Sequence, residues 1–574
     1  TTLIQEQELD VDLLMIVAAL GAAGLGLWRQ EYYLIVDGAI LILIFAISGA
    51  LEGYAMQRTD RSIRSLMSLT SDTAQVLHNG QEQTIAIAQI QVGDEVIVKP
   101  GELVPTDGVI VAGFSTLNQA PITGESMPVE KTIGDPVFAG NINGNGALKL
   151  RIHQPPESSL IQRVIRLVEQ AQTETPPSQQ FIERFERSYA KVIVIAGILL
   201  ATLPPFLWGW SWETTIYRAL IFLVVASPCA LMAAIMPTLL SGIANGARHG
   251  ILFKNGAQLE MMGRVKAIAF DKTGTLTIGK PQVVKAIAVS SETQLLQVAA
   301  ALESFSEHPI GEAIVQFVRQ QQIEWQEATN VQALAGQGIT GEIAQQHALV
   351  GKAAFIQAQV SGWSDWLIAT AQQLEASGKT VVWLAYAGKP LGVIAIADTV
   401  RPEAAKAIAK LRQLGIQEIV MLTGDNDRTA RSIAQDIGID QVYSELLPED
   451  KVNVVRSLQR RYQTVAMVGD GINDAPALAQ ASVGIAMGAI GSDVALETAD
   501  VVLMADRLER LATAIRLGRR SQRIVKQNIT FALGFIVLLL IANFANHMTL
   551  PLGVIGHEGS TVLVTLSGLR LLKN

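Results

Sequence analysis

The string Asp271-Lys272-Thr273-Gly274-Thr275 combines residue types that suit phosphate chemistry. It follows the apolar, β-prone run 267–270, and a buried strand that ends in a carboxylate is typical of ligand sites in open α/β sheets. The carboxylate can act as a covalent nucleophile, the glycine permits a tight turn, and the lysine and threonines can meet phosphate oxygens. A single aspartate in such a turn usually bonds only to its own loop. The five residues together favour a phosphoryl acceptor at Asp271.

Two more predicted strands end in similar Gly/Asp turns. Residues 418–422 precede Thr423-Gly424-Asp425, and residues 464–468 precede Gly469-Asp470-Gly471. Helical stretches such as Ala404–Leu414 lie between the strands, which predicts a parallel, doubly wound sheet whose carboxyl ends converge on one site.

Phosphoryl transfer depends mainly on positioning and charge neutralisation, and magnesium prefers hard oxygen ligands. The expected catalytic and magnesium-binding residues lie at these strand ends, with one lysine added: Asp271, Thr273, Thr423, Asp425, Lys451 and Asp470. We expect Asp271, Asp470 and the Thr273 carbonyl to bind Mg²⁺, and Thr423 and Lys451 to hold phosphoryl oxygens. Any one of the aspartates, taken alone, is equally suited to cap a helix.

Composition indicates membrane spans combined with large soluble domains. The 574 residues are 49% hydrophobic, with a mean hydropathy of +0.32, and exceed the size of one core. The net charge of −8, without a long basic block, argues against nucleic acid as a partner. Cys229 is the single cysteine, which excludes intrachain disulfides and cysteine zinc modules.

Six apolar segments are long enough, or nearly so, to cross a bilayer. They form three pairs with short connections: Leu13–Leu27 and Tyr33–Tyr54, Val192–Trp208 and Ala219–Ile243, Thr530–Phe544 and Gly553–Leu572. The first is short and rich in Gly and Ala, so a buried helix is the alternative there. Basic residues flank the two long insertions, whereas the short connections carry only Arg29, which predicts that both insertions face the cytoplasm.

Each long insertion carries short strings of interest. The first insertion alternates apolar runs with turns, as a small β-rich domain does, and contains Thr123-Gly124-Glu125. Within the second insertion, a block of about 280–397 contains Glu303, His308 and the triplet Gly336-Gln337-Gly338. Taken alone, a Thr-Gly-Glu turn, a His-Pro pair or a Gly-x-Gly triplet indicates a loop and no more.

The fourth and sixth spans contain side chains of the types that bind metals in proteins. Ser227-Pro228-Cys229 interrupts the fourth span, because proline removes a backbone donor and strains the preceding turn. His557-Glu558-Gly559-Ser560-Thr561 lies in the sixth, and ionisable groups at membrane depth are usually functional. The alternatives are a kinked helix with an inert cysteine and a solvated His-Glu pair at the outer interface. One sulfur, an imidazole and several oxygens suit divalent Co, Zn, Ni or Fe, whereas Cu(I) needs more sulfur.

Together these strings resemble the P-type ATPases, whose signature is Asp-Lys-Thr-Gly-Thr. The run Gly469-Asp470-Gly471-Ile472-Asn473-Asp474-Ala475-Pro476 matches the magnesium-binding loop of that family closely. The pairing of Ser-Pro-Cys with His-Glu-Gly-Ser-Thr resembles the cobalt-type subgroup of the heavy-metal-transporting members. The copper-transporting and classical zinc/cadmium-transporting members generally carry Cys-Pro-Cys instead.

The resemblance implies a role for each matched residue. Asp271 is phosphorylated by ATP, Glu125 in the Thr123-Gly124 loop positions water to hydrolyse the aspartyl phosphate, and Asn473 and Asp474 lie around Mg²⁺ or contact phosphate. The resemblance assigns nucleotide binding to Glu303, His308, Gly336 and Gly338, and metal transport to Ser227, Cys229, His557, Glu558 and Thr561. One departure is Lys352, which stands where the family usually has Asn and puts the adenine contacts there in doubt.

The expected architecture is a multi-domain α-helical membrane protein with about six transmembrane helices. A β-rich actuator domain, a doubly wound α/β phosphorylation domain of the haloacid-dehalogenase type and an inserted α+β nucleotide-binding domain complete it. The expected order is 1–64 (first two spans), 65–188 (actuator), 189–250 (next two spans), 251–279 and 398–508 (phosphorylation domain), 280–397 (nucleotide-binding domain) and 509–574 (last two spans).

The expected function is ATP- and Mg²⁺-dependent export of a divalent transition metal, cobalt first, with zinc, cadmium, nickel and iron as alternatives. We expect a monomer in the lipid bilayer of a bacterial plasma membrane, with the catalytic domains in the cytoplasm. The two rivals from other classes are a membrane-tethered phosphatase with the same aspartate chemistry and a metal receptor without catalysis.

Overall fold

The structure is a computed structural model. It describes residues 11–67, 73–78, 81–119, 128–159, 162, 177–306, 308–334, 337–425, 427–470, 474–487, 498–504, 507–545 and 547–573. The chain forms two compact units. The first comprises the described parts of Thr1–Arg264, Asp500–Ala505 and Thr513–Asn574, and the second those of Val265–Ala499 and Asp506–Ala512.

Apolar helices make up most of the first unit. They are α1 (Val11–Arg29), α2 (Tyr32–Met67), α3 (Pro177–Thr202), α4 (Pro204–Trp208), α5 (Trp212–Val225), α6 (Cys229–Ala233), α7 (Met236–Arg248), α8 (Gly256–Arg264), α17 (Glu509–Phe544) and α18 (Leu550–Gly568). Small residues let neighbouring helices approach closely, as at Gly38, where a Cβ would lie 2.9 Å from the carbonyl oxygen of Ala19. Large apolar side chains such as Leu20, Ile42 and Ile195 point outward, as expected for lipid-facing surfaces.

By length and composition, three described helical stretches are able to cross a membrane: Tyr32–Tyr54, Trp212–Arg248 and Glu509–Phe544. Met15–Arg29 and Ser188–Thr202 are shorter apolar helices. All six expected spans fall on helices, but the third, Val192–Trp208, is not one continuous helix. Pro204 and Pro205 lack backbone donors, so α3 ends at Thr202 and α4 begins at Pro204.

The expected break in the fourth span is present between α5 and α6. The amide of Ser227 donates to Val224 O at 3.2 Å, and Leu231 donates to Pro228 O at 2.8 Å, so both use partners three residues back. Pro228 cannot donate, and α6 therefore begins anew at Cys229. The sequence predicts this break from the proline alone.

The rest of the first unit is β-rich. Its strands are β1 (Thr73–His78), β2 (Gln81–Ala86), β3 (Glu95–Val98), β4 (Gly108–Ala112), β5 (Ser115–Asn118), β6 (Val129–Lys131), β7 (Pro136–Val137), β8 (Ile142–Asn143), β9 (Leu148–Ile152), β10 (Ile251–Phe253) and β22 (Val501–Leu503). Six of them form an antiparallel sheet in the order β2-β1-β3-β9-β4-β7, and β6-β5-β8 form a second sheet. Alternating apolar residues such as Val96, Leu117 and Leu150 fill the core between them.

The second unit contains a parallel sheet and an antiparallel sheet. Its strands are β11 (Ala267–Asp271), β12 (Thr277–Ala288), β13 (Thr329–Leu334), β14 (Gly338–Ile343), β15 (Gln346–Gly351), β16 (Thr380–Tyr386), β17 (Lys389–Val400), β18 (Glu418–Leu422), β19 (Gln441–Tyr443), β20 (Val465–Gly469) and β21 (Val483–Met487). Its helices are α9 (Glu292–Glu303), α10 (Pro309–Gln320), α11 (Ala353–Gln359), α12 (Asp365–Ala376), α13 (Ala404–Gln413), α14 (Asp427–Ile437), α15 (Pro448–Tyr462) and α16 (Ala475–Gln480).

The strand order shows that the antiparallel sheet is an insertion between two strands of the parallel sheet. The parallel strands run β21-β20-β11-β18-β19, and their mostly apolar sequences suit a sheet buried on both faces. The antiparallel strands run β12-β17-β16-β15-β14-β13, with α9 and α10 on one face and α11 and α12 on the other. Strands β12 and β17 are paired, so the inserted block leaves and rejoins the parallel sheet at one place.

A buried arginine joins α5 to the turn between α17 and α18. Arg218 donates from one nitrogen to Asn543 O at 3.0 Å, Asn543 Oδ1 at 3.2 Å and Met548 O at 3.0 Å. The Asn543 amide returns a hydrogen bond to Arg218 O at 3.2 Å. Because buried polar groups need partners, this cluster fixes the turn against α5.

We therefore expect Arg218→Leu to destabilise the protein by at least about 3 kcal/mol, since hydrogen bonds to a charged group contribute roughly 1.5–3 kcal/mol each. The measurement is the midpoint of thermal unfolding in detergent. Arg460→Leu, at an exposed position on α15, is the matched control. Equal midpoints for the two variants would contradict the structural role of Arg218.

Candidate functional site

The carboxylate of Asp271 lies at the carboxyl end of β11, the middle strand of the parallel sheet. β11 pairs in register with β18 on one side and β20 on the other. This register brings Thr423, which follows β18, and Asp470, which follows β20, to the two sides of Asp271. The convergence of strand ends on one site is therefore present in the structure.

Lys451, in the first turn of α15, holds two buried carboxylates together. Its Nζ lies 2.5 Å from Asp271 Oδ1 and 2.6 Å from Asp474 Oδ1. Burial, followed by the neighbouring Asp474, raises the pKa of Asp271 to about 6 against the attraction of Lys451. Burial also raises the pKa of Asp474. Burial opposes the charge of Lys451, but its contacts with the carboxylates outweigh this effect and raise the pKa of its amine.

The turn after Asp271 depends on two glycines. Gly274 has φ +70°, a conformation that favours glycine, and a Cβ there would lie 3.4 Å from Asp470 Cβ. Gly279 has φ +76°, and a Cβ there would lie 2.8 Å from Gly274 Cα. Gly274 therefore provides the left-handed backbone of the turn, and Gly279 lets the chain pass closer to Gly274 than a side chain would allow.

Two charged residues that the sequence does not single out hold this turn in place. Arg401 donates to the carbonyl oxygens of Gly274 at 2.9 Å, Thr275 at 2.9 Å and Thr277 at 3.2 Å. Asp398 accepts from the Thr277 hydroxyl and, at 2.8 Å, from the Gly279 amide. Their signal in the sequence is modest: an acid within the last residues of the long apolar strand β17 and a base just after it.

Thr423 and Asp425 flank the site on the β18 side. Asp425 Oδ2 accepts from Lys272 Nζ at 2.5 Å, so the lysine of the signature string is paired with a predicted catalytic carboxylate. The buried Thr423 hydroxyl accepts from the Asp425 amide at 3.0 Å. The exposed Thr273 lies in the turn between Lys272 and Gly274.

The strand ends supply carboxylate oxygens, the ligand type that magnesium prefers, although no three carboxylates of the described residues are arranged there to hold a metal ion. Asp474 Oδ2 is buried and has no hydrogen-bond partner among the described residues, so a carboxylate oxygen there is available to a cation. Asp271 and the half-buried Asp470 add two more carboxylates. Lys451 neutralises one negative charge of this group, which leaves the site attractive to a divalent cation.

The predicted nucleotide residues lie at the junction of α9 and α10. Glu303 is buried at the end of α9, burial raises its carboxyl pKa, and a hydrogen bond with Ser306 opposes that shift. His308 caps α10 by accepting the Ile310 amide on Nδ1 at 3.2 Å. A Cβ at Gly311 would lie 2.5 Å from Glu303 Oε2, so a larger residue there would displace the carboxylate.

On the neighbouring strands, Gly338 of β14 lies opposite Gly351 of β15. A Cβ at Gly338 would lie 2.2 Å from Val350 O, so these strands approach too closely for a side chain. Lys352 is exposed, and its amide donates to Gln337 O at 2.9 Å. This lysine, a departure from the family pattern, therefore lies beside Gln337 of the Gly-x-Gly triplet.

The predicted metal residues lie on helices of the first unit that pack against one another. α18 packs against α5 and α6, and a Cβ at Gly553 of α18 would lie 3.2 Å from Val225 Cγ2. Ser227 Oγ and Cys229 Sγ are 3.0 Å apart at the break between α5 and α6. His557 is fully buried, and neither of its ring nitrogens has a hydrogen-bond partner in the described part of the chain.

Burial excludes one alternative for the sixth span. Glu558 and Thr561 are 5% and 3% exposed, so His557 and Glu558 do not form a solvated pair at the surface. Thr561 and Ser560 both donate to His557 O, at 3.2 and 2.7 Å. Within the described ranges, no group of three or more His, Cys, Asp and Glu side chains is arranged to hold a metal ion. The described conformation thus presents these donors without converging them.

Five predicted site residues lie outside the described residues: Thr123, Gly124, Glu125, Gly336 and Asn473. Their roles stay predictions from the sequence.

Comparisons with known proteins agree with this arrangement. Residues 265–482 match the haloacid dehalogenase-like hydrolase family, and residues 68–169 match the P-type ATPase actuator domain. A zinc-transporting ATPase of Bacillus subtilis is 46% identical over 572 residues, which are 99% of this chain and 88% of that protein. A probable cobalt/nickel-exporting P-type ATPase of Mycolicibacterium smegmatis is 42% identical, over 100% of this chain and 86% of that protein.

A solved structure is similar as well. The crystal structure of a zinc-transporting PIB-type ATPase in the E2.Pi state has a TM-score of 0.68 and 38% identity, and the match covers 100% of this chain and 92% of that one. An actuator domain combined with a hydrolase domain of this type defines a P-type ATPase. The chain belongs to the heavy-metal-transporting branch of that family. The predicted family, enzyme class and fold class are thereby confirmed.

The Lys451 contacts generate a prediction about pH. Lys451→Met removes the cation that favours the ionised form of Asp271. We therefore expect the pKa of Asp271 to rise above about 6, by roughly 1–3 units for the loss of an opposite charge. The acid limb of phosphoenzyme formation from ATP should move by that amount to higher pH, and Lys451→Arg should largely restore it. A limb that stays in place in Lys451→Met would show that Lys451 does not set the ionisation of Asp271.

Proposed function

We propose that this chain uses ATP to export a divalent transition-metal ion through an aspartyl-phosphate intermediate formed on Asp271. The observation that carries the proposal is the convergence of Asp271, Lys451 and Asp474 at the end of the parallel sheet, with Asp470 and Thr423 on either side. A carboxylate with a pKa of about 6 is mostly ionised at neutral pH, as a nucleophile must be.

In this proposal some side chains around Asp271 contact the phosphoryl group and others bind Mg²⁺. Lys451 and Thr423 hold phosphoryl oxygens, and Lys272 keeps Asp425 beside them. Asp271, Asp470 and the Thr273 carbonyl are the proposed ligands of Mg²⁺, which when bound neutralises charge on the phosphates. Asp474 keeps Lys451 directed toward Asp271.

The roles of three other groups rest on the family pattern. We propose that Glu125, in the Thr123-Gly124 loop, positions the water that hydrolyses the aspartyl phosphate. Glu303, His308, Gly336 and Gly338 are the proposed nucleotide-binding residues, and Asn473 is proposed to contact magnesium or phosphate. The domain ranges expected from the sequence stand as proposals, as do a monomeric state and a bacterial plasma membrane with both insertions in the cytoplasm.

Side chains at the helix break and on α18 are the proposed transport site. Ser227, Cys229, His557, Glu558 and Thr561 supply one sulfur, one imidazole and several oxygens, a set that suits borderline divalent ions. The similar proteins are named for zinc, cadmium or cobalt/nickel, which supports the divalent class and does not single out one metal. We propose Co²⁺, Zn²⁺ and Cd²⁺ as cargo, with Ni²⁺ and Fe²⁺ as weaker candidates.

The buried imidazole supports this assignment. A fully buried histidine whose two ring nitrogens find no hydrogen-bond partner among the described residues carries a polar-group penalty of about 1–3 kcal/mol, which a bound metal would remove. We infer that the donors converge in a metal-loading conformation other than the one described, because a pump must alternate between states of high and low metal affinity.

The nucleophile is tested with Asp271→Asn. We expect the loss of acid-stable, hydroxylamine-sensitive phosphoenzyme when the protein is incubated with radiolabelled ATP, because an amide cannot accept the phosphoryl group in this way. Asp436→Asn, on an exposed position of α14, is the control and should label normally. Persistent labelling of Asp271→Asn would refute the assignment.

The metal site is tested with a panel of ions. Cys229→Ala and His557→Ala should each abolish most of the ATPase stimulation by Co²⁺ and Zn²⁺, whereas His547→Ala, exposed ahead of α18, should not. Uptake of labelled metal into inside-out vesicles should fall in parallel. Unchanged stimulation in both site variants would remove the proposed site, and ATP hydrolysis without any uptake would favour the membrane-tethered phosphatase.

A further inference from the structure

One charged surface of the first unit takes no part in phosphate or metal chemistry. A cleft of about 630 Å³ lies along α17 and is lined by Arg519, Gln522, Arg523, Lys526, Thr530 and Phe531 among others. Arg519, Arg523, Lys526 and Thr530 are spaced by four, three and four residues, so they share one face of the helix. We call this surface the basic cleft.

Two cations of the basic cleft have no acidic partner among the described residues. Arg523 and Lys526 are exposed and form no ion pair or hydrogen bond with any residue that the structure describes. From position 510 to 544 the helix contains no Asp or Glu at all. Gln527, beside Lys526, accepts from the exposed Arg570 at 3.4 Å, which adds a further cation at the edge of the cleft. The surface is therefore complementary to an anion.

Apolar surface begins where the cations end. Phe531 stacks on Phe535 with ring centroids 5.7 Å apart, and Phe531, Leu533 and Val537 are 44–55% exposed. Phe531 is five positions after Lys526, which is about 7.5 Å along a helix axis. A ligand that fits both the basic cleft and the apolar surface has an anionic headgroup. Its apolar chains begin about one headgroup length from the anionic group.

We propose that the basic cleft binds the headgroup of an anionic glycerophospholipid, whose acyl chains lie along α17 beyond Phe531. Juxtamembrane Lys and Arg residues attract anionic lipids, and basic pockets at this depth bind their phosphates. Gln522, which lines the cleft, is held in place because its side-chain amide donates to Glu260 O of α8 at 2.6 Å. Free phosphate offers the same anionic chemistry, but only the lipid uses the apolar surface.

The test measures lipid bound to the full chain. The purified protein is titrated with phosphatidylglycerol in detergent, and retained lipid is counted by native mass spectrometry. Each cation near a membrane surface contributes a factor of about five in affinity, so Arg523→Gln/Lys526→Gln should bind phosphatidylglycerol about 30-fold more weakly. Arg460→Gln/Lys389→Gln makes the same charge change at exposed positions of the second unit and should bind as the unaltered protein does.

Three results would overturn the proposal. They are equal retention by the two double variants, equal retention of phosphatidylcholine and phosphatidylglycerol by the unaltered protein, and full displacement of the lipid by inorganic phosphate at the same concentration. Metal-stimulated ATPase activity in phosphatidylcholine vesicles should be the same for all three proteins, which shows that the variants are folded. Arg523→Lys/Lys526→Arg should retain the lipid, because charge is what the cleft supplies.

Discussion

The contact of Lys451 with two buried carboxylates is the interaction on which the catalytic unit depends. Removing Asp271 and Asp474 from water disfavours their ionised forms, and one ammonium group cannot offset two such charges fully. The result is a carboxylate at Asp271 that is ionised near neutral pH, as the proposed nucleophile must be, but remains surrounded by excess negative charge. That excess is what makes the strand ends attractive to a divalent cation, and the same cation is what phosphoryl transfer requires.

The turn after Asp271 is shaped by glycines and held by hydrogen bonds from another strand. Gly274 gives the turn its left-handed backbone, Gly279 lets the chain pass close to Gly274, and Arg401 and Asp398 hold the turn from the end of the strand that returns from the inserted block. The turn after Asp271 and the inserted block therefore share one hydrogen-bonded junction. In the first unit, the proline break between α5 and α6 places Ser227 and Cys229 beside a neighbouring helix that carries the buried His557, whose ring nitrogens have no hydrogen-bond partner among the described residues. Both units thus contain a buried polar group that is available to a ligand.

Local patterns made much of this architecture predictable. Apolar runs located the membrane helices, and Gly/Asp turns after β-prone runs located the three strand ends. A proline located the helix break. All three signals were readable because each is contained within a short stretch of sequence. Contacts between distant positions were not predictable. Arg401 meets Gly274 across 127 residues, and Arg218 meets Asn543 across 325, so only the folded chain reveals them. Whether His557 and Glu558 were buried or solvated also depended on the helices around α18, and the structure buries both.

The most direct test of the account locates the phosphate itself. The protein is incubated with ATP, with and without Zn²⁺ or Co²⁺, reduced with tritiated borohydride, which converts an aspartyl phosphate to homoserine, and digested for peptide mapping. The account predicts label at position 271 alone, and only when the divalent metal is present. Label at another carboxylate, or label at Asp271 that is independent of the metal, would contradict the proposed coupling of phosphate to transport.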